Sequence, residues 1–186
     1  MNPPLYIFLD LDECLVSTVW NRNGKQPKNR TKIVLENDLN GKPEVYWSQL
    51  RPMALEFLQH CRNIAPTYIL TAAATDYAQE HNKVFGLGFA DDMIIGRELY
   101  SYYKSGMMVD RIIPIRENQH PNSILVDNQN PNTWGSENLF VKMKYLGIKE
   151  DRLVKSREYT GGKQPPDFSK EIAQMEKILD NIKVLT

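Results

Sequence analysis

Leu5-Tyr6-Ile7-Phe8-Leu9-Asp10-Leu11-Asp12-Glu13-Cys14-Leu15-Val16 passes from an unbroken apolar run straight into Asp10, Asp12 and Glu13. An apolar stretch this short, with no polar face, suits a strand buried on both sides. The sudden change to acid suits that strand's carboxyl end. The same pattern recurs downstream. Thr67–Leu70 and Met93–Ile95 read as buried strands, Ser123–Val126 as another that ends at Asp127, and Arg152–Val154 as a last one.

Helical spacing fills the gaps between them. Met53, Leu55, Phe57, Leu58, Cys61 and Ile64 form an apolar stripe behind Pro52, which is expected at a helix start because its missing N–H costs nothing there. Thr75 or Asp76 is expected to cap a helix through Val84 and Phe85, stopped by Gly86 and Gly88. Leu139–Leu146 reads as a helix, and Ile172, Met175, Ile178, Leu179, Ile182 and Leu185 make the stripe of a C-terminal one. Strands alternating with helices, each strand continuously apolar, imply an α/β fold: a Rossmann-like three-layer sandwich around a central parallel sheet. The expectation is one domain over residues 1–186 with a small insertion at about 20–48. Within that insertion Trp20–Lys32 reads as a polar loop. Ile33–Leu35 and Glu44–Trp47 flank the turn-rich Asn37–Lys42 as a hairpin.

Composition narrows the class. The chain has 186 residues with 23 Lys+Arg against 23 Asp+Glu, so bulk attraction to a polyanion or an anionic membrane is excluded, although a local basic patch is not. Ten Gly and 11 Pro are ordinary shares, against collagen, low complexity or bulk disorder. No apolar run is long enough for a signal peptide or a membrane span, so a soluble, cytoplasmic protein is expected; nuclear location and leaderless secretion are compatible with the same sequence. Cys14 and Cys61 make neither a disulfide framework nor a zinc site and read as packed thiols.

In parallel sheets ligands sit beyond the carboxyl ends of the strands. Three such ends carry reactive residue types: Asp10-Leu11-Asp12, Thr71-Ala72-Ala73 and Asp127-Asn128. Carboxylates brought together there repel one another, and a hard, oxygen-seeking cation relieves the repulsion; Mg²⁺ typically takes a few carboxylates plus water and substrate phosphate. A hydroxyl and backbone N–H groups at the second strand's end suit phosphate oxygens. His60, His81 and His120 match no ligand spacing and read as packing or surface residues. Arg22, Lys25, Lys28, Arg30 and Lys32 make the insertion basic, either a solvated loop or an attraction for an acidic or phosphorylated partner. Tyr100-Ser101-Tyr102-Tyr103 is either a peptide-recognition surface or aromatic packing.

Asp10-Leu11-Asp12-Glu13-Cys14-Leu15-Val16 resembles motif I of the haloacid dehalogenase superfamily, most nearly the Asp-Leu-Asp-Glu-Thr-Leu-Val of phosphatases acting on the RNA polymerase II C-terminal domain. Leu50-Arg51-Pro52, Leu70-Thr71-Ala72 with Tyr77-Ala78, Arg97-Glu98 and Val126-Asp127-Asn128 are similar to that family in order and approximate spacing, over residues 5–130. The resemblance implies that Asp10 is a nucleophile forming an aspartyl-phosphate and that Asp12 protonates the leaving oxygen and then deprotonates water. It implies Mg²⁺ on Asp10, the Asp12 carbonyl and Asp127, with Asn128 assisting. Thr71 and Ala72 would then hold the phosphoryl group.

Three departures accompany the resemblance. Cys14 stands where the motif has Thr. The phosphate-binding lysine of motif III has two candidates between Arg97 and Asp127: Arg111, which keeps the charge as a planar fork, and Lys104. Beyond Asn128 the chain follows the family loosely, through Trp134, Gly135 and Glu158–Gly162. No segment long enough for a large cap follows either of the first two motifs, and an open site admits protein side chains. The implied activity is therefore Mg²⁺-dependent phosphomonoester hydrolysis on phosphoproteins, at Ser/Thr or Tyr. Two rivals stand beside it: a phosphatase of a small metabolite or nucleic-acid end, and a phosphate-binding module without turnover.

Overall fold

In β1 (Ile7–Leu9) successive side chains leave on opposite faces, so Ile7 and Leu9 enter one buried cluster and Phe8 another. The neighbouring strands repeat the alternation. In β5 (Thr67–Leu70) Ile69 joins the first cluster and Leu70 the second; in β9 (Ile124–Asp127) Ile124 and Val126 join the first and Leu125 the second. With β6 (Ile94–Ile95) and β10 (Leu153–Lys155) these form a five-stranded, wholly parallel sheet in the order β10-β9-β1-β5-β6. The computed structural model describes residues 4–20, 26–36, 43–103, 112–114, 120, 122–129, 137–161 and 167–184.

Helices cover both faces. Phe57, Leu58 and Cys61 of α1 (Ala54–Ile64), Ala78 of α2 (Thr75–Phe85), and Met175 and Ile178 of α5 (Ser169–Val184) pack into the first cluster. Leu139, Met143 and Leu146 of α4 (Glu137–Leu146) pack into the second. Each such side chain contributes ~1.5–3 kcal/mol of transfer free energy on burial. Gly86 closes α2 as expected, at φ 62° in the left-handed region that glycine tolerates. Among the described residues no helix is long and apolar enough to cross a membrane.

Several boundaries differ from the sequence expectation. Pro52 stands two residues before α1, and Met53, at φ 63°, occupies the cap position between them. The Thr75 hydroxyl does not cap α2, whereas Asp76 Oδ1 accepts the Tyr77 N–H of the first turn at 2.7 Å. Glu98, in the short α3 (Arg97–Tyr100), accepts the Thr75 N–H at 2.6 Å. Gly96 permits this close approach, since a Cβ there would lie 2.4 Å from the Thr75 nitrogen. The segment Ser101–Tyr103 is a strand, β7, paired with β8 (Ile112–Pro114); the side chains of the Tyr100–Tyr103 stretch lie outside the described residues.

The insertion begins earlier than expected. After Asp12 the chain reverses through Glu13, at φ 58°, and the N–H groups of Leu15 and Val16 both return to the Leu11 carbonyl at 2.9 and 3.0 Å. Val16–Trp20, rich in β-branched residues, then forms β2. It joins the hairpin of β3 (Thr31–Leu35) and β4 (Glu44–Leu50) in a three-stranded antiparallel sheet, order β2-β4-β3. Its register sets Thr18 opposite Ser48 and Ile33 opposite Tyr46.

One buried ion pair ties the C-terminal helix to this frame. Arg51, 1 % exposed, reaches Glu171 Oε1 at 2.8 Å, Ser156 Oγ at 2.9 Å and the Cys14 carbonyl at 3.2 Å. Its guanidinium also lies 3.8 Å over the Phe168 ring, which stacks on Phe57. Against burial, hydrogen bonds from the Arg157 N–H and from Arg51 hold the Glu171 carboxyl below the usual carboxylate range.

Candidate active site

Strand order and register bring Asp10, Asp127 and Thr71 to neighbouring strand ends. Because β1 lies between β5 and β9, with Leu9 opposite both Ile69 and Val126, Asp10 stands level with Asp127 and one step below Thr71. The Asp10 N–H is bonded to the Val126 carbonyl at 2.9 Å. Asp10 is 6 % exposed and Asp127 is fully buried.

Between these carboxylates lies Lys142, whose Nζ is 2.8 Å from Asp10 Oδ1 and 2.7 Å from Asp127 Oδ2. Nothing in the sequence reading identified it. The signal was nevertheless present: Leu139, Lys142, Met143 and Leu146 fall at the i, i+3, i+4, i+7 positions of one face of α4, a stripe in which a lysine is out of place unless it is paired. Burial lifts the Asp10 carboxyl to about 7; Lys142 pulls it back and Asp127 pushes it up. Two carboxylates thus face one ammonium in a dry setting, an arrangement short of positive charge.

The donor set fits Mg²⁺. The cluster itself offers the carboxylate oxygens of Asp10 and Asp127, and the resemblance would add the backbone carbonyl of Asp12. Among the described residues no three His, Cys, Asp or Glu side chains gather at one point. A cation held by two carboxylates and a backbone oxygen keeps room for water and phosphate, as Mg²⁺ requires. Asn128 turns its amide nitrogen to Glu13 Oε2 at 3.0 Å, and Asp127 Oδ1 accepts the Gln129 N–H at 2.8 Å.

The remaining candidates take distinct positions. The Asp12 carboxylate accepts the Tyr77 hydroxyl at 2.7 Å. Thr71 is buried at the end of β5, and its Oγ1 accepts the Ala73 N–H at 3.1 Å, so that N–H is not directed at a phosphate as expected. Ala72 stands half-buried between them. Arg111 and Lys104 lie outside the described residues. Cys14 is wholly buried, and burial together with the charge of Asp10 pushes its thiol far up, which disfavours a thiolate there.

A cleft of about 670 Å³ opens beside Asp12 and Glu13. One wall is the insertion sheet, with Thr18, Trp20, Glu44 and Tyr46; the other is Ala73, Ala74, Asp76 and Tyr77 at the start of α2, with Arg97 between. The basic character expected of the insertion is partly spent on structure. Arg30 turns inward to Ser17 Oγ at 3.1 Å and to the carbonyls of Trp47 and Thr160, each at 3.2 Å. Lys28 and Lys32 are exposed, and Arg22 and Lys25 lie outside the described residues. His120 packs on the Tyr6 ring, in keeping with its structural reading.

Residues 5–160 match the sequence model of the NLI interacting factor-like phosphatases. Comparison with curated protein sequences finds no match. Among solved structures, Fcp1, described as an essential RNA polymerase II CTD phosphatase, aligns with a TM-score of 0.56 over 98% of this chain and 53% of its own, at 14% identity. A variant of the fission yeast RNA polymerase II CTD phosphatase Fcp1 bound to beryllium fluoride aligns at 0.55 over 97% of this chain and 51% of its own, at 13% identity. The likeness establishes the haloacid dehalogenase-like fold, a five-stranded parallel sheet with a small antiparallel insertion. The chain spans about half the length of these structures.

Proposed function

The chain belongs to the NLI interacting factor-like phosphatase family, and from that premise we propose that it hydrolyses phosphomonoesters on proteins through an aspartyl-phosphate at Asp10. The observation that carries the proposal is the buried Asp10–Lys142–Asp127 bridge at the carboxyl ends of neighbouring parallel strands. Phosphoryl transfer asks a protein mainly for positioning and for charge to meet the phosphoryl oxygens, and this cluster supplies both.

Asp10 attacks phosphorus in line with the departing oxygen. Asp12, on the cleft side of the turn, gives that oxygen its proton and later takes one from the attacking water. Thr71 and Ala72 hold the phosphoryl oxygens, and Lys142 supplies a buried cation against the charge gathering on them. Asp10, Asp127 and the Asp12 carbonyl, with Asn128 beside them, would hold Mg²⁺, which would add to the neutralisation of that charge. The open cleft between insertion and α2 supports a peptide substrate: a side chain carrying phosphate can enter while its backbone stays outside.

Turnover of p-nitrophenyl phosphate with Mg²⁺ is the direct test. Asp10→Asn is expected to abolish it, and activity undiminished in that variant overturns the mechanism. Phosphopeptides are expected to be turned over faster than nucleotides or sugar phosphates, and the reverse order would assign the site to a small metabolite. Binding of a phosphate mimic and Mg²⁺ without turnover of any ester would make the protein a phosphate-binding module.

A further inference from the structure

The Asp12 carboxylate is the first member of a chain of polar groups that runs from the cleft into the interior. Tyr77 Oη lies 2.7 Å from Asp12 Oδ1 and 3.0 Å from Thr18 Oγ1. Thr18 Oγ1 is 2.8 Å from Ser48 Oγ, which is 2.8 Å from His81 Nε2. His81 Nδ1 is 2.8 Å from the Tyr77 carbonyl, which can only accept; Nδ1 therefore carries the proton of the neutral ring and Nε2 receives one from Ser48. Ser48 and His81 are fully buried, so the far end of the chain is shut off from water, while Asp12, Thr18 and Tyr77 line the cleft. Tyr77 and His81 belong to α2, Thr18 to β2 and Ser48 to β4, so the chain spans the joint between the helix and the insertion sheet.

Counting protons shows what the chain does for Asp12. The phenol has one proton and two acceptors within reach. With Asp12 ionised, that proton goes to the carboxylate, the stronger acceptor. With Asp12 protonated, it goes to Thr18, whose own proton goes to Ser48, whose proton goes to His81. Each of the three hydroxyls keeps a partner in both states, and Tyr77, Thr18, Ser48 and His81 keep their own protons while Asp12 gains or loses one. A group that must gain and lose a proton in each cycle is thereby held in one place throughout, at the cost of turning the Tyr77 hydroxyl.

We propose that Tyr77 is the positioning residue of the acid–base group Asp12, and that the insertion sheet, through Thr18 and Ser48, provides the alternative acceptor that lets it serve both states. The proposal rests on the assignment of Asp12 as acid–base group made above. It gives the insertion a part in the chemistry in addition to its part as a wall of the cleft.

The test uses leaving groups. p-Nitrophenolate departs without a proton, whereas phenolate is a poorer leaving group and depends on one. kcat/KM for p-nitrophenyl phosphate and phenyl phosphate is measured in the parent and in Asp12→Asn, Tyr77→Phe and Thr18→Val. Asp12→Asn is expected to lose on the order of 10²-fold more on phenyl phosphate than on the nitrophenyl ester. Tyr77→Phe keeps the ring against Tyr46 and His81 and is expected to lose roughly tenfold more on phenyl phosphate. Thr18→Val, which leaves the tyrosine in place and reports should the phenylalanine variant not fold, is expected to show a smaller loss of the same selectivity. Selective loss in Asp12→Asn with equal losses on both esters in Tyr77→Phe and Thr18→Val overturns the proposal and leaves the assignment of Asp12 standing. Equal losses on both esters in Asp12→Asn overturn the assignment, and the proposal falls with it.

Discussion

Lys142 is held by two acids and holds them in turn. Its ammonium bridges Asp10 and Asp127 in a site where all three side chains are buried. Replacing it by Met leaves two carboxylates facing each other without a counter-charge, which costs ~3–5 kcal/mol where a buried pair is broken. Thermal unfolding of Lys142→Met is expected to show that loss without metal and a larger recovery on adding Mg²⁺ than the parent shows, because the cation binds only the folded state. An equal Mg²⁺ shift in both proteins would mean that the lysine does not share the charge of these carboxylates. The acids of this cluster were legible in the sequence because each stands at the end of an apolar strand. Lys142 was passed over for a physical reason: a positive residue on an apolar helical face has meaning only once the partner across the interface is known, and that partner lies 132 positions away in Asp10.

Helix α2 carries a pH dependence of its own. Burial lowers the pKa of His81, against the pull of the Tyr77 carbonyl, Asp12 and Glu80; Ser48 and Thr18 face the same ring. An unfolded chain binds a proton on histidine near pH ~6.5. Below that pH the unfolded state takes up a proton that the folded state refuses, so the contribution is fully present above it and lost as pH falls towards the folded-state value. Urea midpoints are expected to drop between pH 7.5 and 5.5 in the parent and to drop less in His81→Gln; parallel curves would remove His81 as the cause. At this scale the helices were legible to within a few residues, since an apolar stripe and a terminal glycine act locally. The cap of α2 was legible only in part, since Asp76 meets the Tyr77 N–H locally but the Thr75 N–H is met by Glu98 from 23 residues away across the Gly96 contact, which was not. Nor was β2, where the turn through Glu13 sends Val16–Trp20 into a strand before the polar run that marks the insertion begins.

Across the whole molecule, the Arg51–Glu171 pair decides how α5 sits on the sheet. Glu171→Leu strands a buried guanidinium and is expected to cost ~3–5 kcal/mol in chemical denaturation. Adding Arg51→Met should return a substantial part of that loss, and a purely additive double variant would show that the pair is not coupled. Sequence patterning was enough for a parallel sheet with helices on both faces. It did not supply the order β10-β9-β1-β5-β6, because apolar strands with similar faces are interchangeable until helix packing discriminates among them. That order has a kinetic consequence. The central strand β1 is made first, yet its two partners come from residues 67–70 and 124–127. At about 5–20 residues per second, Asp10 waits roughly 7–26 s on the ribosome before Lys142 has been synthesised. Until residues 67–70 have been made the nascent chain carries an apolar strand with both edges unpaired, and one edge stays open until residues 124–127 follow, the condition in which chains associate with one another. Covering residues 5–9 during synthesis is therefore expected to raise the yield of folded protein.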